Sequence, residues 1–213
     1  MAGSAPIIAD KPPRRRRWIP LSLRMFVALV LVTGIGSATW IGIPAYRQHV
    51  AIREIQKLGG YCLTLPQGPK FLRDGTGDEW MMPLDLVDVV YLDGCQATDA
   101  TLAHIGRLHG LRVLELGKTE VSDAGLVHLI GATTLERLIL SHTRLTDSGM
   151  AHMGQMTGLK EIGIDHTHVT DAGLAHLKRL PNLDYVWAEN TFVSYAGVVN
   201  FYRAMPGLTT ISR

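Results

Sequence analysis

Four histidines, His104, His128, His152 and His176, stand 24 residues apart along the chain. Imidazoles bind metals and carry protons near neutral pH, so a column of them raises a metal or relay reading. Zinc ligands, however, converge on one point. Equal chain spacing points instead to one structural position repeated, on the flank of a buried helix face. Asp165, His166 and His168, with His142 earlier in the chain, form the densest group of ligand types, but their spacing matches no zinc signature. Ser141 beside His142 is no nucleophile–base pair, because neighbours on an extended chain point to opposite faces. The chain has two cysteines, Cys62 and Cys95, with no Cys-x-x-Cys and too few for a disulfide framework. No nucleophile elbow, zinc-protease helix, phosphate loop or dinucleotide fingerprint occurs, and Gly75-x-Gly77 lacks a third glycine. The expectation is a non-enzyme without cofactor or metal.

The elements that carry these residues are set by a 24-residue unit, best seen in residues 159–182. Copies start at Val87, Leu111, Leu135, Leu159 and Leu183, with a truncated one from Leu208. A period of this size marks a solenoid. Each copy opens on L-x-x-L-x-L, such as Leu111, Leu114 and Leu116 or Leu159, Ile162 and Ile164. The closing alternation predicts a short strand with one face inward. Thr119, Thr143, Thr167 and Thr191, with Cys95 in the first copy, follow where the chain turns away, and a buried hydroxyl there can bond stranded backbone groups. Thr98, Ser122, Thr146, Thr170 and Ser194 are N-cap residues. Asp99, Asp123, Asp147 and Asp171 come next, where a negative charge suits the helix dipole. Leu174, Leu177 and Leu180 share one helical face, and Gly125, Gly149, Gly173 and Gly197 admit close approach to a neighbour.

One unit cannot bury its apolar face alone, whereas stacked units can. The pattern resembles the leucine-rich-repeat family, in its cysteine-containing and ribonuclease-inhibitor-like branch. It is similar to bacterial membrane-anchored members, whose T-D-A-G-L-A-H-L string stands here at residues 170–177. The resemblance covers about residues 87–213. It implies an α/β fold: a right-handed leucine-rich-repeat solenoid, with a parallel sheet on the concave side and helices on the convex side. It implies binding, usually of protein, through the concave sheet. The fifth copy departs from the pattern, with Tyr195 in place of Asp and Asn200 in place of His.

Charge is unevenly spread. Residues 1–24 carry a local +5, including Arg14, Arg15, Arg16 and Arg17, and read as a disordered basic tail. Residues 87–213 hold 10 basic and 13 acidic side chains, which excludes a basic groove for nucleic acid. Residues 25–46 contain no formal charge and are long enough to form a transmembrane helix. A cleaved signal peptide ending near Ala38 is the rival reading. Flanking basic residues place the N-terminus in the cytoplasm and the repeats across the cell membrane. Residues 47–58 read as a juxtamembrane helix stopped at Gly59-Gly60, and residues 59–86 as an N-terminal cap that includes a strand at 61–65.

The alternation exposes Val89, Tyr91 and Asp93; Val113, Glu115 and Gly117; Arg137, Ile139 and Ser141; Glu161, Gly163 and Asp165; and Tyr185, Trp187 and Glu189. Among them Tyr91, Glu115, Arg137, Ile139, Glu161, Asp165, Tyr185, Trp187 and Glu189 make the expected protein-binding face. Its anchors are Tyr185, Trp187 and Arg137, the side-chain types that dominate interface hot spots. The expected function is a membrane-anchored module that binds a protein or peptide. The alternative is a passive envelope or scaffold protein that self-associates through an exposed C-terminal edge strand at residues 208–212.

Overall fold

The computed structural model describes residues 43–66, 74 and 85–212. The expected basic tail and positions 25–42 of the apolar run lie outside these residues. Among the described residues no helix is long and apolar enough to cross a membrane. The described part opens with helix α1 (Ile43–Lys57). Positions 43–46, read from sequence as the end of the apolar run, thus begin this helix. Its buried residues are Ala51 and Ile55, four apart and so on one face, while Val50 stays half-exposed. The helix stops where Gly59 takes φ +84°, a left-handed geometry that costs other residues about 1 kcal/mol or more. A Cβ on Gly60 would lie 2.6 Å from Leu92 Cδ2, so the chain reaches the first coil only through glycine here.

Strands β1 (Tyr61–Leu65), β2 (Leu86–Tyr91), β3 (Val113–Glu115), β4 (Arg137–Ile139), β5 (Glu161–Gly163), β6 (Tyr185–Trp187) and β7 (Thr210–Ser212) form one sheet in chain order. From β2 to β6 the register is one repeat per strand, so Tyr91, Glu115, Ile139, Gly163 and Trp187 lie side by side. The repeat strands β2 to β7 pair parallel, as expected, while the cap strand β1, for which the sequence sets no direction, pairs antiparallel with β2, with an irregularity between Leu63 and Thr64.

Helices α2 (Asp99–Ile105), α3 (Asp123–Leu126, continued by a 3-10 turn Val127–Leu129), α4 (Asp147–Met153), α5 (Asp171–Leu177) and α6 (Tyr195–Ala204) return each coil on one side of the sheet. Between them and the strands runs one core, in which Leu114, Leu138, Ile162 and Val186 of the strands meet Leu102, Leu126, Met150 and Leu174 of the helices. Thr119, Thr143, Thr167 and Thr191 donate their hydroxyls to the carbonyls of Leu116, Leu140, Ile164 and Ala188, at 2.6–2.8 Å. Each holds the turn of its own coil. In the first coil the Cys95 thiol reaches only the Asp93 carbonyl, at 3.8 Å.

The aspartates do more than their place in the first helical turn suggests. Asp99 accepts the backbone N–H and hydroxyl of Ser122, Asp123 those of Thr146, Asp147 those of Thr170, and Asp171 those of Ser194. The eight distances lie between 2.5 and 2.8 Å. Each carboxylate clamps the next coil at its N-cap. The capping hydroxyls of Ser122, Thr146 and Thr170 also accept an N–H of their own helix, from Ala124, Ser148 and Ala172. Only a hydroxyl donates and accepts at one atom, which is why these caps are Ser or Thr and never Asp. Gly125, Gly149, Gly173 and Gly197, each one coil on from the aspartate it faces, complete the device: a Cβ on Gly125 would sit 2.5 Å from Asp99 Oδ1.

Candidate functional site

The sheet face turned away from the helices is open, and two rows of side chains run along it. One row is Tyr61, Tyr91, Glu115, Ile139, Gly163 and Trp187; the other is Leu63, Val89, Val113, Arg137, Glu161 and Tyr185. The expected site residues fall on this face. Tyr185 and Glu189 are exposed, and Tyr91, Glu115, Arg137, Ile139, Glu161, Asp165 and Trp187 are half-buried. Three other positions expected to be open are covered. Val89, beside Leu63 of β1, is buried. Gly163 lies under Ile139, whose Cδ1 would be 2.9 Å from a Cβ there. Gly117 is buried against the Asp93 side chain.

Tyr185 and Trp187, two residues apart on β6, stack with ring centroids 6.1 Å apart and planes 12° from parallel. Alternation puts them on one face, and the stack presents a broad, stiff aromatic surface at low entropic cost. At the other end of the face Tyr61 and Tyr91 stack at 4.6 Å. Tyr61, Leu63 and Leu65 of β1 all remain exposed. They extend the face beyond what the repeat pattern showed, because β1 lies outside the repeat.

Arg137 differs from its expected role as a free anchor. Its Nε is paired with Glu161 Oε2 on the next strand at 2.5 Å. Hydrogen bonding to Glu161 holds the guanidinium above its ordinary value, and the charges of Glu161 and Glu115 add to the effect. Arg137 therefore spends much of its charge within the sheet. Asp165 is likewise engaged, accepting the Ser141 hydroxyl at 3.0 Å and the Glu189 backbone N–H at 2.7 Å.

The candidate ligand cluster is split by the fold. His142 and His166 stack ring on ring at 4.0 Å, and Asn190 Nδ2 lies 3.2 Å from His166 Nε2. His168 instead stacks on Phe192. Among the described residues no three His, Cys, Asp or Glu side chains come together to hold a metal ion. His142, His166, Lys118 and Asn190 occupy one repeated position with φ between 53° and 59°, where each coil bends. The helix histidines are surface residues: His104 and His128 are exposed, His152 and His176 half-buried. Cys62 and Cys95 are free thiols, and burial pushes the Cys62 thiol up from its ordinary value.

A second set of charges escaped the repeat pattern. Buried Asp88 receives both Nε and Nη2 of Arg112, at 2.5 and 2.7 Å, and Lys160 pairs with Glu136 at 3.1 Å. Together with Arg137 and Glu161, these are partners 24 residues apart. One coil's spacing makes them neighbours, just as four residues do on a helix. The Arg112 guanidinium holds the Asp88 carboxyl below the usual carboxylate range.

Short strands in register, hydroxyl-held turns and returning helices at a 24-residue period define a leucine-rich-repeat solenoid, here an α/β protein with helices on one side of its sheet. No protein-family model matches the chain. No curated protein matches it either. Among solved structures it is similar to internalin C2 of Listeria monocytogenes, at 21% identity and a TM-score of 0.44, over 52% of this chain and 45% of that one. It is also similar to the internalin inlF of the same organism, at 14% identity and a TM-score of 0.47, over 59% and 40%. The chain thus spans less than half the length of either structure.

Proposed function

We propose that the chain is a non-catalytic binding module of the cysteine-containing, ribonuclease-inhibitor-like kind, which docks a protein or peptide on its open sheet face. The observation that carries this reading is the stacked Tyr185–Trp187 pair, partly open to solvent on a face that no element of the described chain covers. Aromatic residues of this kind dominate binding energy where a partner desolvates them. Residues 25–46 anchor the module in the cell membrane, with the N-terminus cytoplasmic and the repeats on the extracytoplasmic side. Protease digestion of spheroplasts, intact and lysed, tests that placement: repeats degraded only after lysis would refute it.

Affinity capture with the full chain, compared with Trp187→Ala and Tyr185→Ala variants, tests the face. Loss of a hot-spot aromatic costs about 2 kcal/mol or more, some thirty-fold in affinity. A captured partner retained equally by both variants would refute the site.

A second reading is favoured by the C-terminal end. Strand β7 is last in the sheet, and beside it Tyr195 and Tyr202 are 74% and 50% exposed. A second copy pairing there would make the chain a self-associating scaffold. A molecular mass that does not change with concentration would exclude it.

A further inference from the structure

The repeat region carries formal charge −3, and its distribution selects the partner. On the open face stand Asp93, Glu115, Glu161, Asp165 and Glu189 against Arg137, a formal −4. The rest of the region is therefore slightly positive, so the acidity belongs to this face rather than to the surface at large. Arg137 is committed to Glu161 by an ion pair, with Glu115 within its Coulombic reach, which leaves Asp93, Glu115, Asp165 and Glu189 with no cation as a hydrogen-bond partner among the described residues. Beside Glu189 stands the Tyr185–Trp187 stack. An aromatic face attracts Lys and Arg side chains, and more so when desolvated.

Seven strands about 4.8 Å apart give a face of roughly 30 Å, the span of about nine residues of extended chain. We infer that this face holds an extended, Lys- or Arg-bearing segment of another protein, whose cations lie over Tyr185 and Trp187 and against Glu115 and Glu189. The inference rests on the reading of the open face as the binding surface. It adds the sign of the partner's charge.

The test uses the full chain in a zwitterionic detergent and three labelled twelve-residue peptides in a Gly/Ser background, each with four substituents: Arg, Gln or Glu. The Arg peptide is expected to bind at least ten-fold more tightly than the Gln peptide at low ionic strength, and to lose that margin as salt screens the face. Glu115→Gln with Glu189→Gln should remove most of the margin, and Trp187→Ala should weaken the Arg peptide. If the Gln or Glu peptide binds as well as the Arg peptide and still depends on Trp187, the charge inference falls while the open-face reading stands. If no peptide depends on Trp187, both fall. A chain in which Arg14, Arg15, Arg16 and Arg17 are all Gln should bind the Arg peptide unchanged. Tighter binding by that variant would show that the chain's own tail occupies the face, and would overturn assignment to a separate partner.

Discussion

Asp147 sits in mid-stack, and replacing it asks whether the carboxylate clamps hold the coils together. It accepts the Thr170 backbone N–H at 2.8 Å and the Thr170 hydroxyl at 2.6 Å. A hydrogen bond to a charged group contributes about 1.5–3 kcal/mol. Thr170 is only half-buried, so water recovers part of that, and Asp147→Ala should cost about 2–4 kcal/mol. Thr170→Val keeps the N–H bond but removes the hydroxyl and strips Ala172 N–H of its cap, a loss of about 1.5–2.5 kcal/mol. Because both changes break one clamp, the double variant should lose less than the sum, with a coupling of about 1–2 kcal/mol. Gly173 supplies a sterically opposite check. A Cβ there would overlap Asp147 Oδ1 and lie 2.8 Å from Val169 Cγ1. Gly173→Ala should therefore be less damaging beside Asp147→Ala than alone. The assay is urea unfolding of the full chain in detergent, followed by far-UV circular dichroism. Since each coil touches only its neighbours, a broken clamp should also lower the apparent m-value as the halves separate. A cost for Asp147→Ala under about 0.5 kcal/mol, or strict additivity with Thr170→Val, would refute the clamp.

Two further outcomes follow from the charge column and the turn ladder. Asp88 titrates below the unfolded carboxylate value of about 3.9. Its contribution to stability is thus complete above that value and is lost as pH falls through the lower folded one. Arg112→Met leaves Asp88 buried without its partner. It should destabilise the fold at pH 7, by less than the loss of a fully buried pair because Arg112 is half-exposed, and the cost should shrink toward pH 3 in acid titrations of unfolding. A cost independent of pH would refute the pairing argument. Cys95→Thr places in the first coil the hydroxyl that bonds the turn carbonyl in the next four, and should stabilise by about 1 kcal/mol in thermal melts; a lower melting temperature would refute it.

The coil was legible because its signals are local. L-x-x-L-x-L puts Leu114, Leu138 and Ile162 inward by alternation, and the threonines sit where a turn leaves a carbonyl to be bonded. Direction was not local: Y-C-L-T-L at residues 61–65 reads as a strand whichever way it pairs. Partners one coil away were not local either. Asp147 stands in the first turn of its own helix, and only the stack shows that its donors come from Thr170. A signal was nonetheless present. In the second to fourth coils aspartate, glycine two residues later and a hydroxyl 23 residues on recur together, and the aspartate gives way to Tyr195 in the fifth coil. Arg137 and Glu161, Arg112 and Asp88, and Lys160 and Glu136 are all 24 apart, so a charge search at the repeat period would have tied Arg137 to Glu161.

The placement of these bonds bears on why the open face is available at all. The clamps lie where each helix begins, the threonine bonds lie in the turns, and the apolar contacts lie between strands and helices. Of the side chains along the two open rows, Arg137 and Glu161 are joined by an ion pair across coils, and both are partly exposed. Exposed pairs contribute about 0–1 kcal/mol, and the other cross-strand contacts of the face, Tyr61 on Tyr91 and Ile139 over Gly163, involve none of Tyr185, Trp187, Glu115 and Glu189. Tyr185, Trp187, Glu115 and Glu189 can therefore change without unstacking the coils, and a loss of binding on mutating them can be read as a loss of contact with a partner. A substitution on the clamp side acts in the opposite way, through the stack, and alters binding only as the whole face is lost.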